Sequence, residues 1–104
     1  MGYGMASSLL RAGHEVYGVD VNADAMARFR SDGGAAGALA DVAGELDAVV
    51  VVVLNAAQTE TVLFGDDGVV AGLRACAVVM ACATVPPEFA RDMEARCKAV
   101  GVYY

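Results

Sequence analysis

Apolar and polar positions along the chain fall into two alternating textures. Short runs rich in β-branched residues cover 15–20, 48–54, 77–82 and 102–104. Between them lie alanine-rich stretches whose apolar residues recur at helical spacing. Strands that alternate with helices read as an α/β chain built on a parallel sheet. The run 48–54 is apolar at every position, the pattern of a strand covered by helices on both faces.

The helical stretches carry their own start and stop signals. Spacing predicts a helix over 3–12, with Met5, Leu9 and Ala12 on one stripe and Gly13 as its terminator. Asn22 can cap a helix over 23–31, whose stripe is Met26 with Phe29 or Arg30 and which Gly33 and Gly34 stop. Shorter turns are expected over 41–45, 59–64 and 67–73, the last broken by Gly72. The clearest helix runs over 86–100: two prolines open it, Phe89, Met93 and Cys97 share a face, and Gly101 closes it.

Composition narrows the class. At 104 residues the chain makes one small domain at most. Hydrophobic residues are 58% and charged residues 19%, which excludes intrinsic disorder. Three cysteines without a CxxC pair exclude a disulfide scaffold. A net charge of −6 argues against a nucleic-acid surface, although backbone N–H groups can hold a small anion without net positive charge. The longest apolar run, over 75–83, has nine residues, against about 20 for a membrane helix. The start does not read as a secretory signal, because no basic region precedes its apolar stretch and His14 and Glu15 arrive early. The expectation is a cytoplasmic protein, with no membrane partner, in which Cys76, Cys82 and Cys97 are buried small hydrophobes.

Most residues with reactive side chains have a bland reading. His14 stands alone in a helix-to-strand turn. Asp66 and Asp67 lie between Gly65 and Gly68, as in a loop with a cap. Ser7 and Ser8 lie within a helix and lack a histidine base. No spacing suggests a metal site. Arg28 and Arg30 read as a solvated helix face. The opening is different: Met1-Gly2-Tyr3-Gly4-Met5-Ala6 leads into a helix, then into a strand that ends at Asp20. A dinucleotide site places a glycine at a helix start and an acidic residue roughly 20 positions on, and Gly2 and Asp20 fit those two places. On spacing alone, Gly2–Gly4 reads equally well as a frayed terminus and Asp20 as a solvated carboxylate.

The residues then resemble a known family, the β-hydroxyacid dehydrogenases of the 3-hydroxyisobutyrate and 6-phosphogluconate dehydrogenase superfamily. Met1, Gly2, Met5, Ala6, Leu9, Leu10, Ala12, Gly13, His14 and Val16 match the later part of its N-terminal signature. Asp47 with the run to Leu54, then Ala83-Thr84-Val85 with Pro87, then 101–104 follow in the family's order. Asn55-Ala56-Ala57-Gln58, with Leu63-Phe64-Gly65, is most similar to the L-threonate dehydrogenase branch. The resemblance spans the whole chain and implies a Rossmann-type parallel sheet with flanking helices, lacking its first strand. Residues 1–104 would be a partial NAD(P)-binding Rossmann domain, cut short at both ends or begun at an internal Met.

The resemblance also implies roles. Met1 and Gly2 would lie at the cofactor, with Gly2 under the pyrophosphate at a helix N-terminus. Asp20 would hydrogen-bond the adenosine ribose and repel a 2′-phosphate, favouring NAD over NADP. No arginine follows at Val21. Leu54 and Asn55 would line the cofactor groove, and Thr84 would lie on the nicotinamide side. The family's catalytic lysine and its Ser-Gly-Gly substrate segment have no counterpart; Lys98 does not match the lysine's motif. No catalytic residue is therefore expected here. The implied whole protein is a homo-oligomeric oxidoreductase that transfers hydride on a small hydroxyacid, with four-carbon sugar acids suggested by residues 55–58. The other open reading is a non-catalytic nucleotide-binding or regulatory α/β module, such as a flavodoxin-like one. In the order 3-2-1-4-5-6 the first strand is interior, so its absence would expose two edges and leave the chain marginal, molten or self-associating.

Overall fold

The computed structural model describes every residue except Met1, Val21 and Ala36. The chain divides into two compact units, Met1–Leu39 and Ala40–Tyr104.

In the first unit, α1 (Gly2–Arg11) and α2 (Ala23–Ser31) pack on each other. Asn22 caps α2 as its spacing predicts: its side chain accepts the backbone N–H groups of Asp24 and Ala25. Both helices end in a Schellman motif. Gly13 N–H donates to the Leu10 carbonyl and His14 N–H to that of Leu9; Gly33 and Gly34 repeat the pattern on Arg30 and Phe29. Gly13 and Gly33 have φ of +96° and +110°, where an L side chain is strained. Phe29 is buried between Gly18 and Gly34, and a Cβ on either glycine would come within 2.7 and 2.4 Å of its ring. The predicted stripe on α1 is not buried: Met5 and Ala12 are exposed and Leu9 half-buried.

The strand expected over 15–20 does not form, because no segment among the described residues pairs with it in a ladder. Ala35 N–H donates to the Val16 carbonyl, and no other backbone bond outside the helices and strands reaches it among the described residues. A β-branched run without a paired neighbour is an extended segment and not a strand.

The division between the units falls within α3 (Leu39–Val42), which a 3₁₀ turn (Ala43–Glu45) follows, close to the turn expected over 41–45. Two strands follow, β1 (Ala48–Val51) and β2 (Val78–Ala81), parallel with Ala48 opposite Val78 and Val51 opposite Ala81. Between them lie α4 (Ala56–Phe64) and a 3₁₀ turn (Val70–Gly72). After β2 comes α5 (Pro87–Lys98). Tyr103 then bridges in parallel to Val78, so the final run contributes a bridge and not a full strand. α5 ends on Gly101 by the same Schellman pattern, with Gly101 and Val102 donating to Lys98 and Cys97.

The register assigns Val51, Val79 and Val102 to one sheet face, and all three are at most 4% exposed. The buried residues of α4 and α5 are Thr59, Leu63, Met93 and Cys97. The opposite face carries Val78, Met80 and Tyr103, exposed at 37%, 47% and 62%. The expectation of two covered faces for 48–54 therefore fails. Successive crossovers in one direction share one hand and put their helices on one side of a parallel sheet. Leu54, at the end of that run, is 85% exposed. Cys76 and Cys82 are likewise exposed, not buried; only Cys97 lies inside. Cys76 occupies a turn ahead of β2 at φ +70°, and Cys82 follows the last paired residue of β2, so neither belongs to a helix face or to the buried sheet positions.

Arg96 joins α5 to α4 from the surface. Its guanidinium lies 2.8 Å from Glu60 and 4.0 Å from the Phe64 ring centroid. The same glycine-to-alanine change should act with opposite sign at two positions in the first unit. Gly33→Ala places a Cβ at positive φ and is expected to cost about 1–2 kcal/mol. Gly4→Ala lies inside α1, where a Cβ meets nothing within 4 Å, and is expected to gain about 0.5–1 kcal/mol. Urea unfolding of the two variants beside the parent chain checks both signs.

Candidate functional site

Each sequence-predicted site residue can now be placed, apart from Met1, which lies outside the described residues. Gly2 is the first residue of α1 and is half-buried. The first N–H groups of a helix have no intrahelical acceptor, and no acidic side chain stands in the first turn of α1. Nothing within that turn repels an anion. A phosphate therefore fits the donors and the dipole found here.

Asp20 is exposed and precedes α2. Its Oδ1 accepts the Asn22 backbone N–H at 2.9 Å. Asn22 in turn caps α2, so the carboxylate is held by the turn that starts the helix. Among the described residues Asp20 has no cationic partner, which leaves its charge and its second oxygen for a ligand. No hydrogen bond joins Gly2 to Asp20 among the described residues.

In the second unit, Leu54, Asn55 and Thr84 all follow the carboxyl ends of parallel strands. Leu54 and Asn55 come after β1, and Thr84, also exposed, comes after β2. Strand register brings the two connections to one edge of the sheet, the edge at which open α/β sheets bind ligands. Asn55 is the N-cap of α4, its side chain accepting the Gln58 N–H at 2.9 Å. Gln58 Oε1 accepts the Leu54 N–H at 2.8 Å. This reciprocal pair starts α4 at Ala56, three residues ahead of the helix expected over 59–64. The signal was available as Asn-x-x-Gln, a relative of the capping box. A cavity of about 510 Å³ lies elsewhere, at the amino end of β2, with Cys76, Glu94, Lys98 and Tyr104 among its walls.

Sequence reasoning missed Tyr3 and one role of Arg28. The Tyr3 hydroxyl donates to Asp32 Oδ2. Its ring meets Phe29 edge-on, with centroids 5.8 Å apart and planes at 81°. The Arg28 guanidinium lies 4.8 Å from the Tyr3 ring centroid. No spacing rule flags a tyrosine 29 residues from its carboxylate partner. Among the cysteines, burial pushes the Cys97 thiol up against a small opposing effect from Arg96, so this thiol is the protonated, unreactive form at neutral pH.

The Asp32 carboxylate raises the Tyr3 pKa above its ordinary 10.0, chiefly by accepting the phenol proton, with desolvation assisting and Arg28 opposing. The protonated phenol is the form that binds, so its contribution is complete below pH 10.0 and is lost as pH climbs through the raised value. The ultraviolet ionisation difference between the parent chain and Tyr3→Phe should show a phenol titrating above 10, moving back toward 10 when Asp32→Ala is added.

Residues 1–104 match the family described as the NAD binding domain of 6-phosphogluconate dehydrogenase. The chain is similar to L-threonate dehydrogenase of Cupriavidus necator, 42% identical over 103 residues that make up 98% of this chain and 35% of that protein. It is 35% identical over 105 residues to 3-hydroxyisobutyrate dehydrogenase of Pseudomonas aeruginosa, covering 98% of this chain and 35% of that protein. The crystal structure of a 3-hydroxyisobutyrate dehydrogenase from Salmonella typhimurium superimposes with a TM-score of 0.89 at 38% identity, covering 97% of this chain and 35% of that one. The architecture is thus Rossmann-like, as the alternating textures and the motif order imply. The chain spans about a third of the length of these relatives. Over its whole length it belongs to the family of NAD-binding domains of 6-phosphogluconate dehydrogenase.

Proposed function

We propose that residues 1–104 form one partial Rossmann domain, the cofactor-binding part of an oxidoreductase that acts on a small hydroxyacid. The observation that carries this reading is the match of the family to the whole chain, from the start of α1 to the last bridge residue. In the first unit, Gly2 receives the pyrophosphate on the free N–H groups of α1, beside Met1. Asp20 accepts hydrogen bonds from the adenosine ribose through the oxygen that Asn22 leaves free. In the second unit, Leu54 and Asn55 line the groove and Thr84 serves the nicotinamide side.

The bound cofactor would supply hydride transfer. These residues bind and orient it, and the proton transfer falls to residues outside the 104. Relatives named L-threonate dehydrogenase, at 42% identity in two species, support a four-carbon sugar acid as substrate. The whole protein is proposed to be a cytoplasmic homo-oligomer. Among the described residues no helix is long and apolar enough to cross a membrane.

The cofactor is proposed to be NAD rather than NADP. An unpaired carboxylate at Asp20 attracts two ribose hydroxyls and repels a 2′-phosphate. Asp20→Ala should weaken NAD binding about tenfold or more and leave NADP binding unchanged or improved. Calorimetric titration of both cofactors checks this, and an unchanged ratio of the two affinities removes the role assigned to Asp20.

A further inference from the structure

The connection after β1 is held more firmly than its exposure suggests. Leu54 is 85% exposed and gains nothing from burial. Its backbone N–H nevertheless donates to Gln58 Oε1 at 2.8 Å. The next carbonyl, that of Asn55, accepts both the hydroxyl and the N–H of Thr59, at 2.9 and 3.1 Å. Thr59 is 0% exposed, so the connection is gripped from the packed side of α4. The Asn55 side chain accepts the Gln58 N–H in turn.

An ordinary capping box closes on the N–H of the cap residue itself. Gln58 reaches one residue further back, to Leu54, which lies outside the helix. Its bond therefore fixes the connection and not only the cap. Glutamate at this position would accept the same N–H, and its charge would also suit the positive end of the helix dipole. Stability alone favours glutamate. Yet the first turn of α4 carries no acidic residue, and the helix's one carboxylate, Glu60, is paired with Arg96.

We infer that Gln58 is a positioning residue: it supplies the acceptor that fixes Leu54 and Asn55 while keeping the first turn of α4 free of negative charge, so that this connection can line the nicotinamide half of an anionic cofactor. This rests on the proposed cofactor site. Gln58 touches no part of the cofactor itself and acts through the two residues that it holds.

Two variants of the 104-residue chain separate the acceptor from the charge. Gln58→Glu keeps the acceptor and adds the charge; Gln58→Met removes the acceptor and adds none. Urea unfolding gives their stability, and NMR titration gives their affinity for NAD and for AMP, which lacks the nicotinamide half. Gln58→Glu should be no less stable than the parent chain and bind NAD about three- to tenfold more weakly at low salt. That loss should shrink in about 0.5 M salt, and AMP binding should be unchanged. Gln58→Met should be less stable and bind NAD about threefold more weakly at any salt, again with AMP unchanged. If Gln58→Met fails to fold, Gln58→Glu decides alone. Equal losses for NAD and AMP overturn the inference, as does a Gln58→Glu chain that is less stable than the parent or whose loss salt does not shrink. Lower stability of Gln58→Met with NAD affinity intact reduces Gln58 to a cap and overturns it too. If the parent chain binds NAD and both variants match it, this inference fails and the proposed function stands. If the parent chain does not bind NAD, both fail.

Discussion

Two strands that run the same way cannot be joined by a tight turn. The 26 residues between Val51 and Val78 must cross over a face of the sheet, and the segment between β2 and Tyr103 must cross again. Because both crossovers take the same hand, α4 and α5 arrive on one side. That side holds Leu63, Met93, Cys97, Val51, Val79 and Val102, all buried. The same constraint sends both carboxyl-end connections to one edge and so sets Leu54, Asn55 and Thr84 there. Packing and site geometry in this unit are two results of one topological rule.

Local chemistry was the most readable part of the sequence. Asn22 as a cap, and Gly13, Gly33 and Gly101 as terminators, act through hydrogen bonds that span at most five residues. Such bonds depend on little beyond the residues that make them. The run 15–20 has the composition of a strand, but a strand needs a neighbour, and its composition cannot supply one. Cys76 and Cys82 were read as buried from residue type, while their exposure is set by where β2 begins and ends. The α4 start was legible in Asn55 and Gln58, yet their reciprocal bonds are weak as a pattern because both residues are common in loops.

For the proposed site, motif order pointed to Gly2, Asp20, Leu54, Asn55 and Thr84; Gly2 stands at a helix start, Asp20 two residues ahead of the Asn22 cap, and the other three past strand ends. It could not locate Tyr3 and Arg28. Their importance comes from a contact between α1 and α2 that joins residues far apart in sequence. Short-range signals find the groups that touch a ligand through the backbone. Long-range packing decides which side chains meet across helices, as Tyr3 meets Arg28, Phe29 and Asp32.

The bare side of the sheet has a consequence for how the chain behaves among its own copies. Val78, Met80 and Tyr103 form an apolar strip open to water, and 13 acidic against 7 basic side chains give the surface a net charge of −6. That charge opposes the meeting of two such strips. Colloidal stability of the chain is thus a property of ionic strength, since added salt screens the repulsion.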